Sequence, residues 1–160
     1  MSDYQKNLTI TKSVDEAYTA ITEHIADWWS DDLAGAAANV GNHFKIAFGE
    51  TKKTFEIIEA TPNKQVVWKC VEAYIDMSSL KNKAEWVGTR LFWTFSAGEQ
   101  GTTLTFLHEG LNQNFECYDV CEAGWDYFLA SLQSYLNTGK GKPYLKVAAK
   151  ESLEENKQIV

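Results

Sequence analysis

Positive charge is scarce in this sequence. Fifteen Lys and Arg stand against 22 Asp and Glu, a formal net charge of −7. The clustered cations that neutralise a phosphate backbone are missing, which excludes nucleic acid as a partner. The acidic balance mostly serves solubility. Long apolar runs are missing too, since none approaches the roughly 18 residues of a membrane-spanning helix. The opening residues MSDYQKNLTITKS lack the basic, apolar and small-residue zones of a secretory signal. The three cysteines, Cys70, Cys117 and Cys121, are an odd set without framework spacing. That excludes a disulfide scaffold and suits free thiols in a reducing cytoplasm. The expectation is a soluble, cytoplasmic protein.

Chemical signatures are equally thin. Cys117 and Cys121 are four residues apart, so they share a helical face. Two thiols fall short of the four ligands of structural zinc, or the three plus water of catalytic zinc. No C-x-x-C or H-x-x-x-H completes a set, so neither a metal site nor a cofactor is expected. Ser30, Ser78, Ser79 and Ser96 lack the G-x-S-x-G context of a nucleophile elbow. The stretch TGKGKP, residues 138–143, has the glycines and lysine of a phosphate loop. A phosphate loop, however, runs from a strand into a helix and ends in G-K-[ST], whereas Lys142 precedes a proline. No catalytic residue emerges.

Aromatic residues are plentiful: 13% of the chain, including six tryptophans. Such side chains fill cores and also line ligand cavities. LTIT at residues 8–11 alternates as a first strand. SVDE follows, with Ser13 and Glu16 spaced as a capping box, and opens a helix carrying Val14, Ala17, Tyr18 and Ile21 on one face. HIADWWSDD reads as a short second helix or a turn, and LAGAAANVG as a loop. Period-two segments then predict strands at HFKIAF, TFEII, VVWKCVEA, TRLFWTF and TTLTFLHEG. The turn AGEQG makes the last two a hairpin, and YIDMSSLKNKAEW between the two strand groups reads as a flexible loop.

From near Glu116, the residues Tyr118, Cys121, Trp125, Phe128, Leu129, Leu132, Tyr135 and Leu136 recur at three- and four-residue steps. They predict one long amphipathic helix. Gly139 stands at the helix-stopping C′ position, with Lys140 and Lys142 near the negative end of the dipole and Pro143 just beyond. TGKGKP is therefore a helix terminus. Strands run together with helices segregated, which is the α+β pattern. One domain is expected over residues 1–142, and residues 143–160 are a tail, helical or frayed.

The stretches IADWWS, EWVGTRLFWTF, TLTFLHEGL and CYDVCEAGWDYFLASLQSYLNTGKG resemble a known family. It is the domain named after the activator of the 90-kDa heat-shock protein ATPase, of the START-like, birch-pollen-allergen-like superfamily. The resemblance implies a helix-grip fold, a curved antiparallel sheet wrapped around the C-terminal helix with a hydrophobic cavity between them. Relatives in that superfamily bind apolar metabolites, a minority are cyclases or hydrolases, and others assist the chaperone. The separate N-terminal chaperone-binding domain of the eukaryotic co-chaperone has no counterpart here, so no chaperone contact is expected.

On that fold, strand alternation and the helix stripe give an expected cavity lining of Trp29, Phe48, Trp68, Trp86, Trp93, Phe106, His108, Trp125 and Phe128. Trp28, Trp29 and Trp86 are expected at its mouth. His108 and Arg90 are candidates to orient a polar end; the plainer alternatives are a satisfied strand-end histidine and a solvated strand start. Each ring could equally be core filling. The leading reading is a protein that holds a small apolar or amphipathic molecule. A cyclase- or hydrolase-type enzyme is the alternative. The third reading is a protein-interaction module, for a chaperone or a self-partner as in a homodimer, whose apolar patch is an exposed Trp28–Trp29 pair with the C-terminal tail.

Overall fold

A computed structural model describes residues 2–146. Strand β1 (Tyr4–Ile10) leads into α1 (Val14–Thr22), where the Ser13 hydroxyl accepts the Glu16 N–H at 3.2 Å. That contact satisfies one of the N–H groups a helix start leaves open. A single 3-10 turn, Ile25–Asp27, follows. Strands β2 (Leu33–Gly35), β3 (His43–Phe48), β4 (Thr51–Thr61), β5 (Gln65–Tyr74), β6 (Arg90–Gly98) and β7 (Gly101–Glu109) come next, then α2 (Tyr118–Thr138). The predicted α+β helix-grip architecture is what the chain forms. The segment read as a loop at LAGAAANVG supplies the short edge strand β2, paired to β3.

The seven strands form one antiparallel sheet in the order β1-β7-β6-β5-β4-β3-β2. Two register shifts between β4 and β5, at Thr54/Phe55 and Ile57/Glu59, interrupt the ladder. Bulges of this kind bend a strand and increase its twist, so the long central strands can curve around α2. The β6–β7 hairpin turns tightly, with Gly98 opposite Gly101. A Cβ on Gly101 would lie 2.0 Å from the Ile10 carbonyl, so β1 can pass this corner only beside glycine.

Helix α2 ends at Gly139, whose φ of 87° is the left-handed cap the sequence indicated. The chain then doubles back. The Lys142 N–H donates to the Ser131 hydroxyl at 2.6 Å, and that hydroxyl donates to the Trp28 carbonyl at 2.8 Å. The Tyr144 N–H donates to the Trp29 carbonyl at 2.9 Å. A Cβ on Gly141 would meet the Asp27 carbonyl at 2.5 Å. The second glycine of TGKGKP thus allows this strap to lie against the 3-10 turn. The rest of the tail, including its helical or frayed state, falls outside the described residues.

Candidate functional site

The inner face of the sheet and the stripe of α2 bring Phe48, Trp68, Trp93, Phe106, His108, Trp125 and Phe128 together, and Trp29, after the 3-10 turn, and Trp86, before β6, pack among them. Trp125 sits at the centre, its ring centroid 5.1 Å from Trp29, 5.9 Å from Trp86 and 4.4 Å from Phe106. Trp68 stacks on Trp29 at 5.9 Å, and Trp93 packs against Phe106 at 4.4 Å. Phe48 and Phe128 pack 5.4 Å apart and are only partly buried. Stacked and edge-on rings at such separations are favourable packing. The rings lie against one another across the space between sheet and helix.

Two sequence expectations are corrected here. Trp28 and Trp29 are 0% and 2% exposed, so they stand neither at a mouth nor in a surface patch. The Trp28 indole N–H donates to the Ala20 carbonyl at 3.0 Å, and the strap covers the pair. Trp86, at 3% exposed, is interior as well. The segment before β6 is also no loose loop. It buries Ile75, Leu80, Trp86 and Thr89, and the Glu85 carboxylate accepts the N–H groups of Glu116 and Cys117 at 2.9 and 3.1 Å. Glu85 therefore caps α2, favoured by the helix dipole, while Arg90 is exposed at the start of β6.

His108 is fully buried and both its ring nitrogens are used. The Trp125 N–H donates to Nδ1 at 3.1 Å. The Thr89 hydroxyl donates to the Trp86 carbonyl at 2.7 Å, which leaves its oxygen to accept from Nε2 at 2.9 Å. This network assigns the neutral Nε2–H tautomer. Burial, reinforced by the charge of Lys53, drives the imidazole down to about 3. At neutral pH it is an uncharged link between β7, α2 and the residues before β6. No carboxylate or tyrosine is among its partners, so a proton-relay pair is absent among the described residues.

Lys53 is the residue the sequence reading missed. It stands on β4 opposite Ile46 and points inward, 8% exposed. Its ammonium lies 3.6 Å from the centroid of the Trp86 ring and 5.7 Å from that of Phe48. Among the described residues it has no hydrogen bond to the protein and no carboxylate within 4 Å. Burial lowers its pKa below the usual lysine range. The signal was present in TKKTFEII: the alternation that puts Phe55 and Ile57 inside puts Lys53 there too.

Around Lys53 lie three thiols. Burial pushes Cys70 up to about 12. Cys117 and Cys121 are in contact, Sγ to Sγ 2.7 Å, and the Trp86 indole N–H donates to the Cys121 sulfur at 3.4 Å. The Cys117 thiol bond and the Lys53 charge hold Cys121 low, about 7, while Cys117 is raised. Two more donors are conspicuous. The indole N–H groups of Trp68 and Trp93 are buried and donate to no acceptor among the described residues. Among the described residues no group of three or more His, Cys, Asp or Glu could hold a metal ion.

Two open hollows lie at the surface. One, of about 310 Å³, runs between the 3-10 turn and β2, with Ile25, Leu33, Ala37 and Phe44 among its lining. The other, of about 570 Å³, lies beside the end of α2, between Lys12, Glu16 and Tyr135. The first reaches the aromatic interior at Phe44, which meets Trp68 edge-on at 4.9 Å.

A sheet gripping one long helix over an aromatic inner face defines a START-like α+β protein. Residues 12–137 match the family described as Activator of Hsp90 ATPase homolog 1-like protein, and the chain belongs to it. The solution structure of the Aha1 dimer from Colwellia psychrerythraea is similar over 88% of this chain and 100% of that one, with 27% identity and a TM-score of 0.73. Protein MLL2253 from Mesorhizobium loti is similar over 83% of this chain and 95% of that one, at 18% identity and TM-score 0.67. DynU16, from the dynemicin biosynthetic locus, is similar over 88% of this chain and 49% of that one, at 22% identity and TM-score 0.65. The last two establish the fold alone. No curated protein matches the chain in sequence.

Proposed function

We propose that the protein binds a small apolar or amphipathic molecule between the inner face of the sheet and α2. The observation that carries this reading is the pair of unpartnered indole donors, Trp68 and Trp93. A buried polar group normally finds a partner, and leaving one unmade costs about 1–3 kcal/mol. Two such donors on one apolar face suit a ligand that brings acceptor oxygens, as binding sites are mostly apolar with a few placed polar groups. Lys53 and the partly buried rings Phe48 and Phe128 belong to the same lining. His108 holds the site's frame, because its nitrogens are committed to Trp125 and Thr89. The enzyme alternative has no converging acid–base pair to favour it.

Native mass spectrometry of the purified protein, followed by denaturing extraction, tests the reading. A stoichiometric apolar molecule is the expected result. A bare chain that also fails to take up any apolar probe overturns it. The dimeric state of the relative from Colwellia psychrerythraea favours self-association as well, and sedimentation analysis decides it. A dimer would use a surface other than the buried Trp28–Trp29 pair.

A further inference from the structure

Resting on that binding reading, we infer that the ligand is an anion, an amphipathic carboxylic acid whose carboxylate is anchored by Lys53. The geometry is unusual in one respect. A lysine almost never sits this deep unless it is paired, and among the described residues this one has only ring faces and thiols for company. An aromatic face attracts a cation but leaves its N–H donors unmet. A carboxylate would meet them with a charge-assisted bond, the strong kind.

Charge number narrows the class. Lys53 is a single cation, and Arg90 is exposed at the strand start. A monoanion is matched by one ammonium, whereas a phosphate ester would retain uncompensated charge in an apolar site. The group nearest to a built-in counter-charge is the Cys121 thiol, beside Lys53 and hydrogen-bonded to Cys117. A thiolate there would compete with the carboxylate, and the test is arranged to expose it. The body of the acid would lie along the aromatic lining that includes Phe48 and Phe128.

The experiment uses the full chain, with decanoate and 1-decanol as probes, titrated by calorimetry at neutral pH. Wild-type protein is expected to bind decanoate about tenfold more tightly than decanol. Lys53→Met, which keeps the apolar stem and removes the charge, is expected to abolish the preference, bringing the ratio of the two affinities to about one. Equal affinity in the wild type overturns the inference, with Cys121 then the counter-charge, and leaves the binding reading intact. A decanoate preference that survives in Lys53→Met overturns it too. Failure of both probes to bind overturns the binding reading and the inference together.

Discussion

His108 on β7 and Lys53 on β4 are both buried against the same aromatic interior, and their hydrogen bonding is opposite. His108 uses both nitrogens, in a chain that runs from Trp125 through Thr89 to the Trp86 carbonyl. Lys53 has no hydrogen-bond partner among the described residues and rests against ring faces. Burial lowers the pKa of both, yet the consequences part. The histidine is held neutral in a network that fixes three elements to one another. The lysine's resolved contacts are with the ring faces of Trp86 and Phe48. Burial alone therefore does not single out a residue; burial without a hydrogen-bond partner calls for an explanation.

The largest expected effect lies on the histidine side. Its folded-state pKa of about 3 lies below the unfolded value of about 6.5. Between those values the unfolded chain binds a proton that the native state does not. Stability should therefore be full above pH 6.5 and fall by several kcal/mol as the pH drops towards 3. His108→Leu should cost about 3 kcal/mol at neutral pH, by stranding the Trp125 and Thr89 groups, and should remove this part of the acid slope. Urea denaturation at stepped pH measures both. An unchanged slope in the variant would contradict the network.

Thr89→Val breaks the same chain one link further on. It strands the Trp86 carbonyl and the histidine Nε2–H, and should cost about 2 kcal/mol in chemical denaturation. Lys53→Met should act in the opposite direction, raising stability by about 1 kcal/mol at neutral pH, since it removes a buried unpaired cation. The groups facing Lys53 are Cys70 on β5, Cys117 and Cys121 at the start of α2, and His108 on β7. Because the lysine pKa is lowered on folding, its cost is greatest at low pH and fades as the pH rises towards the usual lysine range. The gap between variant and wild type should close accordingly in alkaline buffer.

The smallest effect is a control that touches neither side. A Cβ on Gly124 would meet nothing within 4 Å, so Gly124→Ala should add about 0.8 kcal/mol through helix propensity alone. A loss, measured by thermal or urea unfolding, would mean that this stretch of α2 needs glycine for some other reason.

The order of elements was legible because its signals are local. The capping pair Ser13 and Glu16, the alternation at HFKIAF, the Gly98–Gly101 turn and the Gly139 stop each act within a few residues. The meeting of Phe48, Trp68, Trp93, Phe106, His108, Trp125 and Phe128 was legible too, since strand parity and a helix stripe determine which side chains face each other. Three things were not. Trp28 and Trp29 read as surface because what covers them, Ser131, Gly141 and Tyr144, is more than 100 residues away. Lys53 was passed over because its charge argued for solvent while its parity argued for the interior, and parity prevailed. Glu85 failed to read as a helix cap because it reaches α2 across a gap of 31 residues to Glu116.

The strap after α2 bears on how this protein is made. Its backbone reaches the first quarter of the chain through the Tyr144–Trp29 and Asp31–Tyr144 hydrogen bonds, and β1 finds its ladder partner only in β7. During synthesis from the N-terminus, the tryptophans at 28, 29, 68, 86 and 93 emerge before the segment that seals them. Contacts of such sequence separation form slowly. The nascent chain must therefore carry an unsealed aromatic face until α2 and the strap leave the ribosome, so that keeping it from aggregating is a task for the cell as much as for the sequence.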